Sequence, residues 1–459
     1  MHKRSFKKIQ HIHMVGIGGS GMCGIAEVLI NLKYRVSGSD LRKTAVTERL
    51  EKLGAVVSEG HTPGNVAGAE VVVISSAVGA DNPEVTEAQR LKVPVISRAE
   101  MLAELMRMKY GIAVAGSHGK TTTTSMVATL LDQGGFDPTV VIGGRLNVYG
   151  SHAKLGKSEF MVAEADESDS SFLLLSPTLG VVTNIDQEHM DHYHTITRLH
   201  DAFVQFMNKV PFYGATIVCV DDPGVQAVLG RLSRRAITYG LSTQADYVLS
   251  QAQQDARQTR FRVTHRGETF GPLALSVPGA HNALNALAAI AVARDMGMEW
   301  SAILKGIESF QGADRRFQLR GEARGIMVVD DYGHHPTEIR ATLAAAKAGW
   351  DRRLVVLFQP HRFTRTRDLF EQFCGAFHQA DALVVTEIYP AGEEAVPGVT
   401  GEVLAYGIKR FGHRNVLYRP DLNSAVDALA GIVRENDIVL TLGAGTVTNA
   451  GPELLRRIS

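Results

Sequence analysis

A glycine-rich turn that ends in lysine and threonine gives the clearest indication of chemistry in this sequence. It joins an apolar strand to a helix and contains Lys120 and Thr121. Glycines let backbone N–H groups converge on phosphate oxygens, and the first turn of a helix adds a partial positive charge. We expect Lys120 to contact the β- and γ-phosphates of a nucleotide and the Thr121 hydroxyl to contact magnesium. Because Val114 replaces the first glycine of the usual GxxxxGK[ST] pattern, the loop is a shortened variant. Its ATP-binding candidates are Gly116, Ser117, His118, Gly119, Lys120, Thr121 and Thr122.

A second glycine motif lies near the start of the chain. Residues 16–21 match the pattern GxGxxG after an apolar strand, and Asp40 ends the following strand. This combination is typical of a diphosphate cradle with an acid that hydrogen-bonds a ribose. Alone it indicates NAD binding, or only a tight strand-to-helix turn, but both loops together predict a protein that handles two nucleotides. The candidates here are Gly16, Gly18, Gly19, Ser20, Gly21, Met22 and Asp40.

A run of acids directly follows a further apolar strand. Glu164 is the first acid after the strand at 160–163. Hard oxygen ligands at the carboxyl end of a strand suit magnesium beside a phosphate loop, so Glu164 is our candidate ligand. The later acids Asp166, Glu167 and Asp169, taken singly, are more typical of solvated or helix-capping charges.

Three histidines follow the next strand, within residues 183–194. They could bind zinc, with Asp186 or Asp191 completing the site. Zinc would leave the phosphate loop without a role, however. One histidine on a second magnesium ion fits better.

Polar residues also precede an alanine-rich helix. Asn282 and Asn285 are three residues apart, so they share one helix face and could hydrogen-bond an adenine or a phosphate. Helix capping is the alternative interpretation of these amides.

The last third of the chain places polar residues after two strands, at 330–337 and 358–365. Function in open α/β sheets lies at the carboxyl ends of strands. Arg362 and Arg365, close to His361, form a clamp suited to a carboxylate or a phosphate.

Short β-branched runs alternate with helical periodicity along the whole chain, which predicts an α/β fold with parallel strands and right-handed crossovers. The strand runs are 71–74, 181–183, 217–220, 327–329, 354–358, 383–385 and 438–441. Composition shifts predict three units at 1–108, 109–320 and 321–459, and polar–apolar alternation between about 240 and 275 predicts antiparallel strands in the middle unit.

Composition limits the class of protein. The chain has 459 residues, and 48 basic residues balance 48 acidic ones. Zero net charge argues against a protein held to nucleic acid or to an anionic membrane by bulk charge. Three distant cysteines exclude a disulfide framework, and no apolar run reaches the length of about 18 residues that a membrane span needs. We expect a cytoplasmic protein with neither a membrane nor a nucleic-acid partner.

Taken in order, these motifs resemble those of the Mur ligase family of bacterial peptidoglycan synthesis. The matching strings cover essentially the whole chain: GIGGSGM, GSHGKTTT, EADESD, TNIDQEHMD, GAHNALNALAA, DRRF, DDYGHHPTEI and FQPHRFTR. Tyr332, Gly333 and the string HRFTR resemble the residues found in the branch that adds L-alanine to UDP-MurNAc. The murein-peptide recycling branch usually carries Phe-Ala at the positions of Tyr332 and Gly333 and lacks the string HRFTR.

The resemblance implies three α/β domains. An N-terminal Rossmann-like domain would hold UDP-MurNAc, a central P-loop ATPase-type domain with a mostly parallel sheet and extra antiparallel strands would bind ATP, and a C-terminal Rossmann-like ligase domain would close over both. In the implied reaction the lactyl carboxylate of UDP-MurNAc attacks the γ-phosphate of ATP, and the amine of L-alanine then displaces phosphate from the acyl phosphate. The implied cofactors are ATP and two Mg²⁺ ions, with Mn²⁺ able to substitute.

The resemblance also implies roles for residues of this chain. The metal ligands would be Thr121, Glu164 and His189. The nucleotide contacts beyond the phosphate loop would be His281, Asn282, Asn285 and one of the adjacent arginines Arg315 and Arg316, of which Arg315 is taken as the candidate. Beside Lys120, Glu164 and His189, the catalytic residues on the alanine and γ-phosphate side would be Tyr332, His361, Arg362 and Arg365.

Two departures and two alternatives accompany this interpretation. Residues 201–207 contain no lysine, as in the alanine-adding branch, whereas several sister ligases carry a carbamylated lysine there. The turn Gly443–Thr446 has threonine where relatives often have Asp or Asn, and its contacts stay open. An NAD-dependent dehydrogenase and a nucleotide-gated binding module are the alternatives, and the oligomer expected is a monomer or a weak homodimer.

Overall fold

The structure is a computed structural model that describes residues 9–75, 77–146 and 151–459. It contains three sheets, mostly of parallel strands, with helices packed on them, which confirms the predicted α/β class. By its internal contacts the chain forms two compact units. The first runs up to Leu249 and includes residues 263–270 and 285–309; the second contains residues 250–262, 271–284 and 310–459. The predicted domain boundaries near 108 and 320 stay predictions.

The first sheet belongs to the first unit. Its strands are β1 His11–Val15, β2 Arg35–Asp40, β3 Val56–Glu59, β4 Val71–Ile74 and β5 Val95–Ser97. Its helices are α1 Ser20–Asn31, α2 Ala45–Leu53, α3 Pro83–Arg90 and α4 Arg98–Arg107, with a 3₁₀ turn at Pro63–Val66. All strands are parallel in the order β3-β2-β1-β4-β5, so the order reverses at β1. Ligands of open α/β sheets bind in the crevice at such a reversal, which is where β1 leads into the first glycine motif.

The second sheet has ten strands. They are β6 Tyr110–Ala115, β7 Thr139–Leu146, β8 Ser151–Lys154, β9 Phe160–Glu164, β10 Leu179–Val182, β11 Ala215–Cys219, β12 Ala236–Gly240, β13 Tyr247–Asp255, β14 Gln258–His265 and β15 Glu268–Leu275. The helices of this part of the chain are α5 Lys120–Gln133, α6 Met190–Tyr193, α7 Ile196–Met207, α8 Pro223–Leu229, α9 Ala280–Asp295 and α10 Trp300–Ser309, with a 3₁₀ turn at Ser171–Leu174.

The order of the second sheet decides which loops meet. It is β15-β14-β13-β12-β11-β10-β6-β9-β7-β8, with β6 parallel to both β9 and β10. The carboxyl ends of these three neighbours therefore lie side by side. Two-residue turns join β13 to β14 and β14 to β15, and such short turns connect only antiparallel strands, in agreement with the predicted insertion.

The third sheet belongs to the second unit. Its strands are β16 Gln318–Ala323, β17 Ile326–Asp331, β18 Leu354–Phe358, β19 Ala382–Val385, β20 Val416–Tyr418 and β21 Ile438–Leu442. Its helices are α11 Pro336–Gly349, α12 Phe363–Asp368, α13 Phe370–Cys374, α14 Gly401–Arg410, α15 Leu422–Ile432 and α16 Ala450–Ile458, with a 3₁₀ turn at Thr446–Asn449. The order is β16-β17-β21-β18-β19-β20, and only β16 runs antiparallel to its neighbour among the strand pairs with described registers. No helix in the described ranges is long and apolar enough to cross a membrane.

A buried polar network lies under the first glycine motif. Glu84, at the start of α3, is wholly buried and accepts hydrogen bonds from Ser39 Oγ at 2.6 Å and Asn65 Nδ2 at 2.5 Å. The ring of His13 on β1 is 3.4 Å from the same carboxylate. Burial raises the pKa of Glu84, but the hydrogen bonds from His13, Ser39 and Asn65 outweigh burial and hold the pKa below its usual value.

The network predicts a pH-dependent contribution to stability. Because the folded protein lowers the pKa of Glu84, the charged carboxylate stabilises the fold above the unfolded value of 4.5 and loses this effect as the pH falls through the folded value. Glu84→Gln should lower the free energy of unfolding by about 2 kcal/mol at neutral pH. Thermal melts over a pH series should show that the difference in melting temperature between variant and wild type becomes smaller at acidic pH. The exposed Glu48→Gln is the control, and a gap constant with pH would contradict the assignment.

Candidate active site

The first glycine motif forms a tight turn after β1. Gly16 has φ 77° and α1 begins at Ser20, whose side chain lies outside the described part of the structure. The Gly18 N–H donates to the Asp40 carboxylate at 2.9 Å. Asp40 therefore braces the glycine turn from the end of β2, and its contact with a ribose stays a prediction. The buried Met22 anchors the first turn of α1 in the core.

An arginine that the sequence patterns did not single out lies beside this motif. A Cβ built on Gly21 would lie 2.3 Å from Nη1 of Arg98, so the guanidinium packs directly on the start of α1. Arg98 Nη2 also lies 3.8 Å from Asp166, in the acidic run after β9. Glycine at position 21 thus allows the Arg98 guanidinium to approach the helix closely, which the GxGxxG pattern does not indicate.

The phosphate loop connects β6 to α5. Gly116 has φ 132° and Gly119 φ 80°, conformations that disfavour other residues. A Cβ on Gly116 would lie 2.0 Å from Thr183 Oγ1, and a Cβ on Gly119 would lie 2.7 Å from Asn285 Oδ1. The two glycines therefore allow neighbouring side chains to close on the loop, and Asn285 is one of them.

The loop after β10 holds the phosphate loop in place. Asn184 Oδ1 accepts the His118 N–H at 2.8 Å while its Nδ2 donates to the His118 carbonyl at 3.1 Å. The Asp186 carboxylate lies 3.0 Å from His118 Nε2, and the Ser117 hydroxyl accepts the Asp186 N–H at 2.9 Å. Asn184 thus fixes both sides of one residue of the phosphate loop. Sequence reasoning missed Asn184 and considered Asp186 only for zinc, although both lie at the carboxyl edge of the sheet.

Lys120 and Thr121 begin α5 with defined partners. Lys120 Nζ donates to the carbonyls of Gly116 at 2.7 Å and Ser117 at 3.2 Å. The Thr121 hydroxyl donates to the Glu164 carboxylate at 3.0 Å. Glu164 is the last residue of β9, and the structure thus brings together the two residues that we predicted to share a magnesium ion.

A buried acid completes the cluster around Lys120. Glu167 is wholly buried and its Oε2 lies 2.8 Å from Lys120 Nζ. Its Oε1 lies 3.6 Å from Nε2 of His189, which adopts φ 56° at the start of α6. Asp169 is exposed, as expected for a solvated or helix-capping charge. Glu167 is buried, so the prediction of a solvated or capping charge is wrong for this residue.

Burial and charge act in opposite directions at the Lys120–Glu167 pair. Burial raises the pKa of Glu167 to about 7, even though Lys120 lowers it. Burial lowers the pKa of Lys120, but Glu167 and Asp166 more than offset this, so the ammonium stays charged. The site therefore keeps a cation where a polyphosphate is predicted.

The other two histidines of the 183–194 segment lie elsewhere. His192 Nε2 is 2.8 Å from the Ser170 hydroxyl, and His194 is exposed. Only His189 of the three is near the Lys120 cluster among the described contacts. One histidine of the three, His189, therefore lies beside the acid that pairs with Lys120.

The start of α9 carries the predicted nucleotide contacts of the second unit. Asn282 Nδ2 donates to the Pro278 carbonyl at 2.7 Å, whereas a cap at a helix start uses a side-chain oxygen that accepts a backbone N–H. Burial, with a smaller effect of Arg316, lowers the pKa of His281 to about 4, so its ring is neutral at neutral pH and can accept or donate one hydrogen bond.

The adjacent arginines Arg315 and Arg316 have different acidic partners in the second unit. Arg315 binds Asp330 through Nε at 3.0 Å and the Gly443 carbonyl through Nη2 at 2.6 Å. Arg316 lies 3.7 Å from Glu338, and both guanidinium groups lie over the Tyr332 ring, at 5.1 Å for Arg315 and 5.2 Å for Arg316 from its centre. Arg315 therefore also contacts the glycine turn at 443–446, because its guanidinium donates hydrogen bonds to backbone carbonyls of that turn.

The predicted clamp lies after β18. The His361 ring stacks on Tyr389 with centroids 5.6 Å apart, and Arg365 Nη1 is 3.4 Å from His361 Nδ1. Arg362 has φ 70° at the start of α12, and its Nη1 lies 3.9 Å from Glu393. The structure therefore brings His361 and Arg365 together and turns the Arg362 side chain towards an acid.

The sequence matches models of a known protein family over most of its length. Three family models match the chain: "Mur ligase family, catalytic domain" over residues 11–110, "Mur ligase middle domain" over 114–293 and "Mur ligase, glutamate ligase domain" over 315–445. The chain belongs to the Mur ligase family. Full-length relatives agree with the three models. The UDP-N-acetylmuramate–L-alanine ligase of Geotalea daltonii is 59% identical over 453 residues, which is 99% of each chain.

Other Mur ligases extend the comparison. The ligase of the same name from Myxococcus xanthus is 57% identical over 444 residues, 97% of this chain and 94% of that one. Among solved structures, the UDP-N-acetylmuramate-alanine ligase MurC of Thermotoga maritima superposes with a TM-score of 0.81 at 30% identity, over 97% of this chain and 98% of that one.

Proposed function

We propose that this Mur ligase joins L-alanine to the lactyl carboxylate of UDP-N-acetylmuramate and converts ATP to ADP and phosphate. The observation that carries the proposal is the 59% identity, over 99% of both chains, to a ligase of that name. The cluster of Lys120, Thr121 and Glu164 supports it, because it joins a phosphate loop to an acid in the way that phosphoryl transfer requires. We expect the protein in the cytoplasm, as a monomer or a weak homodimer.

The chemistry begins with two anions that must meet. A carboxylate is a poor electrophile, and transfer of the γ-phosphate to it supplies a leaving group. Lys120 offers the positive charge that lets the carboxylate approach the phosphate. Gly116, Ser117, His118, Gly119 and Thr122 stay proposed phosphate contacts, although the N–H groups of Ser117 and His118 donate to Asn184. Asn184 keeps this loop in one shape, so little reorganisation is needed when charge develops.

The donor set fits magnesium. The Thr121 hydroxyl and the Glu164 carboxylate are hard oxygen donors 3.0 Å apart at the end of a strand. They would hold one ion, and His189 would serve a second; Mn²⁺ accepts the same donors. When bound, the ions neutralise phosphate charge during transfer.

Residues of the second unit are assigned to the amino acid and the nucleotide. Arg365, aligned by His361, would pair with the alanine carboxylate and leave the amine free to attack the acyl phosphate. Tyr332 and Arg362 complete this group. For the nucleotide, Arg316 is the better candidate of the two adjacent arginines, because the Arg315 guanidinium already binds Asp330 and the glycine turn. His281 and Asn282, and with them Asn285 of the first unit, stay proposed adenine and phosphate contacts.

Arg365→Ala tests the amino-acid side. Loss of a charged hydrogen bond to the alanine carboxylate should raise the KM for L-alanine by about tenfold to a hundredfold, with little change in the KM for ATP. Steady-state kinetics with each substrate varied in turn gives both constants. The exposed Arg367 lies on the same helix, and Arg367→Ala should behave as wild type. A selective rise in the KM for ATP would contradict the assignment.

Release of ADP tests the whole proposal. It should require UDP-MurNAc and L-alanine together. A nicotinamide-dependent absorbance change would favour a dehydrogenase, and ATP binding without turnover would favour a binding module. In a panel of amino acids, glycine should be rejected only weakly, since one missing methyl group is worth about 1–3 kcal/mol.

A further inference from the structure

The carboxylate of Glu167 has no part in the reaction described so far, although it lies against the central lysine. Among the acids of residues 164–169 it alone is wholly buried. Both of its oxygens are within hydrogen-bonding distance of Lys120 Nζ, at 2.9 and 2.8 Å. A buried carboxylate is costly unless it is paired, so this position needs a physical reason beyond solvation.

The donors of Lys120 supply that reason. An ammonium group has three N–H donors, and the structure gives them the carbonyls of Gly116 and Ser117 and the carboxylate of Glu167. A phosphate oxygen can reach Nζ only by replacing one of these acceptors. Of the three, Glu167 is the one with a negative charge, and it would repel an arriving phosphate most strongly.

We propose that Glu167 is the internal counterion of Lys120 that a nucleotide phosphate displaces, and that it thereby sets nucleotide affinity and holds the lysine in place until the phosphate arrives. Glu167 is thus a positioning residue that acts through Lys120. This inference rests on the proposed phosphate-binding role of Lys120. It uses an acid for which the sequence pattern indicated no special role.

The surroundings allow such an exchange. The main chain of Glu167 is held independently of its side chain, because its carbonyl accepts the Tyr193 hydroxyl at 2.6 Å and the Ser170 N–H at 3.1 Å. The carboxylate also has a second basic neighbour, His189 Nε2, at 3.6 Å from Oε1. A carboxylate displaced from Lys120 therefore stays beside a basic ring on a fixed backbone.

Glu167→Gln tests the proposal because it removes the charge at nearly constant volume. Titration calorimetry with ADP in the absence of metal should show affinity at least about tenfold tighter than wild type, as expected when one charged competitor is lost. The kcat for ADP release should fall by about tenfold or more, since ADP that binds more tightly leaves the site more slowly. Tighter binding with slower turnover is a combination that a merely structural role would not produce. Equal or weaker ADP binding by a folded Glu167→Gln protein would overturn the proposal.

Two further variants complete the experiment. Asp169→Asn removes one negative charge from the same loop at an exposed position and should leave ADP affinity and kcat unchanged. Glu167→Asp restores the charge one methylene farther back, so its ADP affinity should return to within about threefold of wild type. If Glu167→Gln does not fold, Glu167→Asp decides alone: ADP binding as tight as in wild type, or up to about threefold tighter, supports the proposal, and weaker binding overturns it.

Failure of the proposed function has a separate signature. If wild type and Lys120→Ala bind metal-free ADP equally, the phosphate loop is wrongly assigned. If wild type binds ADP and Lys120→Ala does not, the assignment of the phosphate loop is supported. If Glu167→Gln then binds ADP no more tightly than wild type, the counterion role of Glu167 is wrong.

Discussion

Replacing Lys120 by alanine should lower kcat by about a thousandfold, because phosphoryl transfer to a carboxylate depends on positive charge at the transferred group. The affinity for UDP-MurNAc should change by no more than a few-fold, since the first glycine motif is a separate loop of the fold. Coupled ADP-release kinetics gives kcat, and calorimetry with UDP-MurNAc gives the affinity. Glu164→Ala should produce the same division between turnover and sugar-nucleotide binding.

The exposed Lys157 provides the control for this experiment. Lys157→Ala removes the same charge from the surface and should keep wild-type kinetics. If Lys120→Ala lost UDP-MurNAc binding as severely as turnover, the assignment of the two glycine loops to two nucleotides would be wrong. Circular dichroism of the variant checks that the fold has survived the loss of the partner of Glu167.

Replacing Asp330 by asparagine should destabilise the second unit by about 3 kcal/mol, the scale on which breaking a buried ion pair acts. Asp330 is wholly buried at the end of β17. Its carboxylate accepts hydrogen bonds from Arg315 at 3.0 Å, Arg320 at 2.9 Å, Thr441 at 2.8 Å and Thr448 at 2.9 Å. The variant would leave two guanidinium groups close together without their shared anion.

The two tryptophans of the chain allow this effect to be assigned to the second unit. Trp350 stacks on Phe317 within that unit, whereas Trp300 belongs to the first unit. In a Trp300→Phe background, urea unfolding followed by tryptophan fluorescence therefore reports on the second unit. The exposed Asp351→Asn is the matched control. If Asp330→Asn lowered the free energy of unfolding by less than about 1 kcal/mol, as a surface substitution typically does, the network around Asp330 would contribute little to stability.

The strands and the phosphate loop were predictable because their patterns are local. The run 354–358 coincides with β18, and the run 71–74 with β4. Parallel strands covered on both faces must be continuously apolar, so their positions are visible without any partner. The Gly-Lys-Thr turn is likewise a short contiguous pattern, with its lysine and threonine at the start of α5.

Contacts between loops could not be predicted in the same way. Asn184 fixes the phosphate loop only because β10 pairs with β6 and brings Val182 level with Ala115. No pattern within either loop states which strands are neighbours. For the same reason Arg98, which follows β5, was not connected with Gly21.

Adjacent residues of one type are a harder case. Arg315 and Arg316 are chemically identical in the sequence, so no pattern favours one of them over the other as the nucleotide contact. Arg315 has φ 55°, and its guanidinium meets Asp330, while Arg316 lies beside Glu338. The backbone conformation separates the two, and a sequence pattern does not contain it.

The amino-acid sequence by itself determined the α/β class, the two glycine loops and the family, because each depends on short runs whose residue types and spacing are restricted wherever the chain folds. Only the tertiary structure decided which charges meet. Glu167, and not Asp169, is paired with Lys120, and Asn184 holds His118, since these contacts depend on the order of strands in a sheet and on which side of a loop is buried.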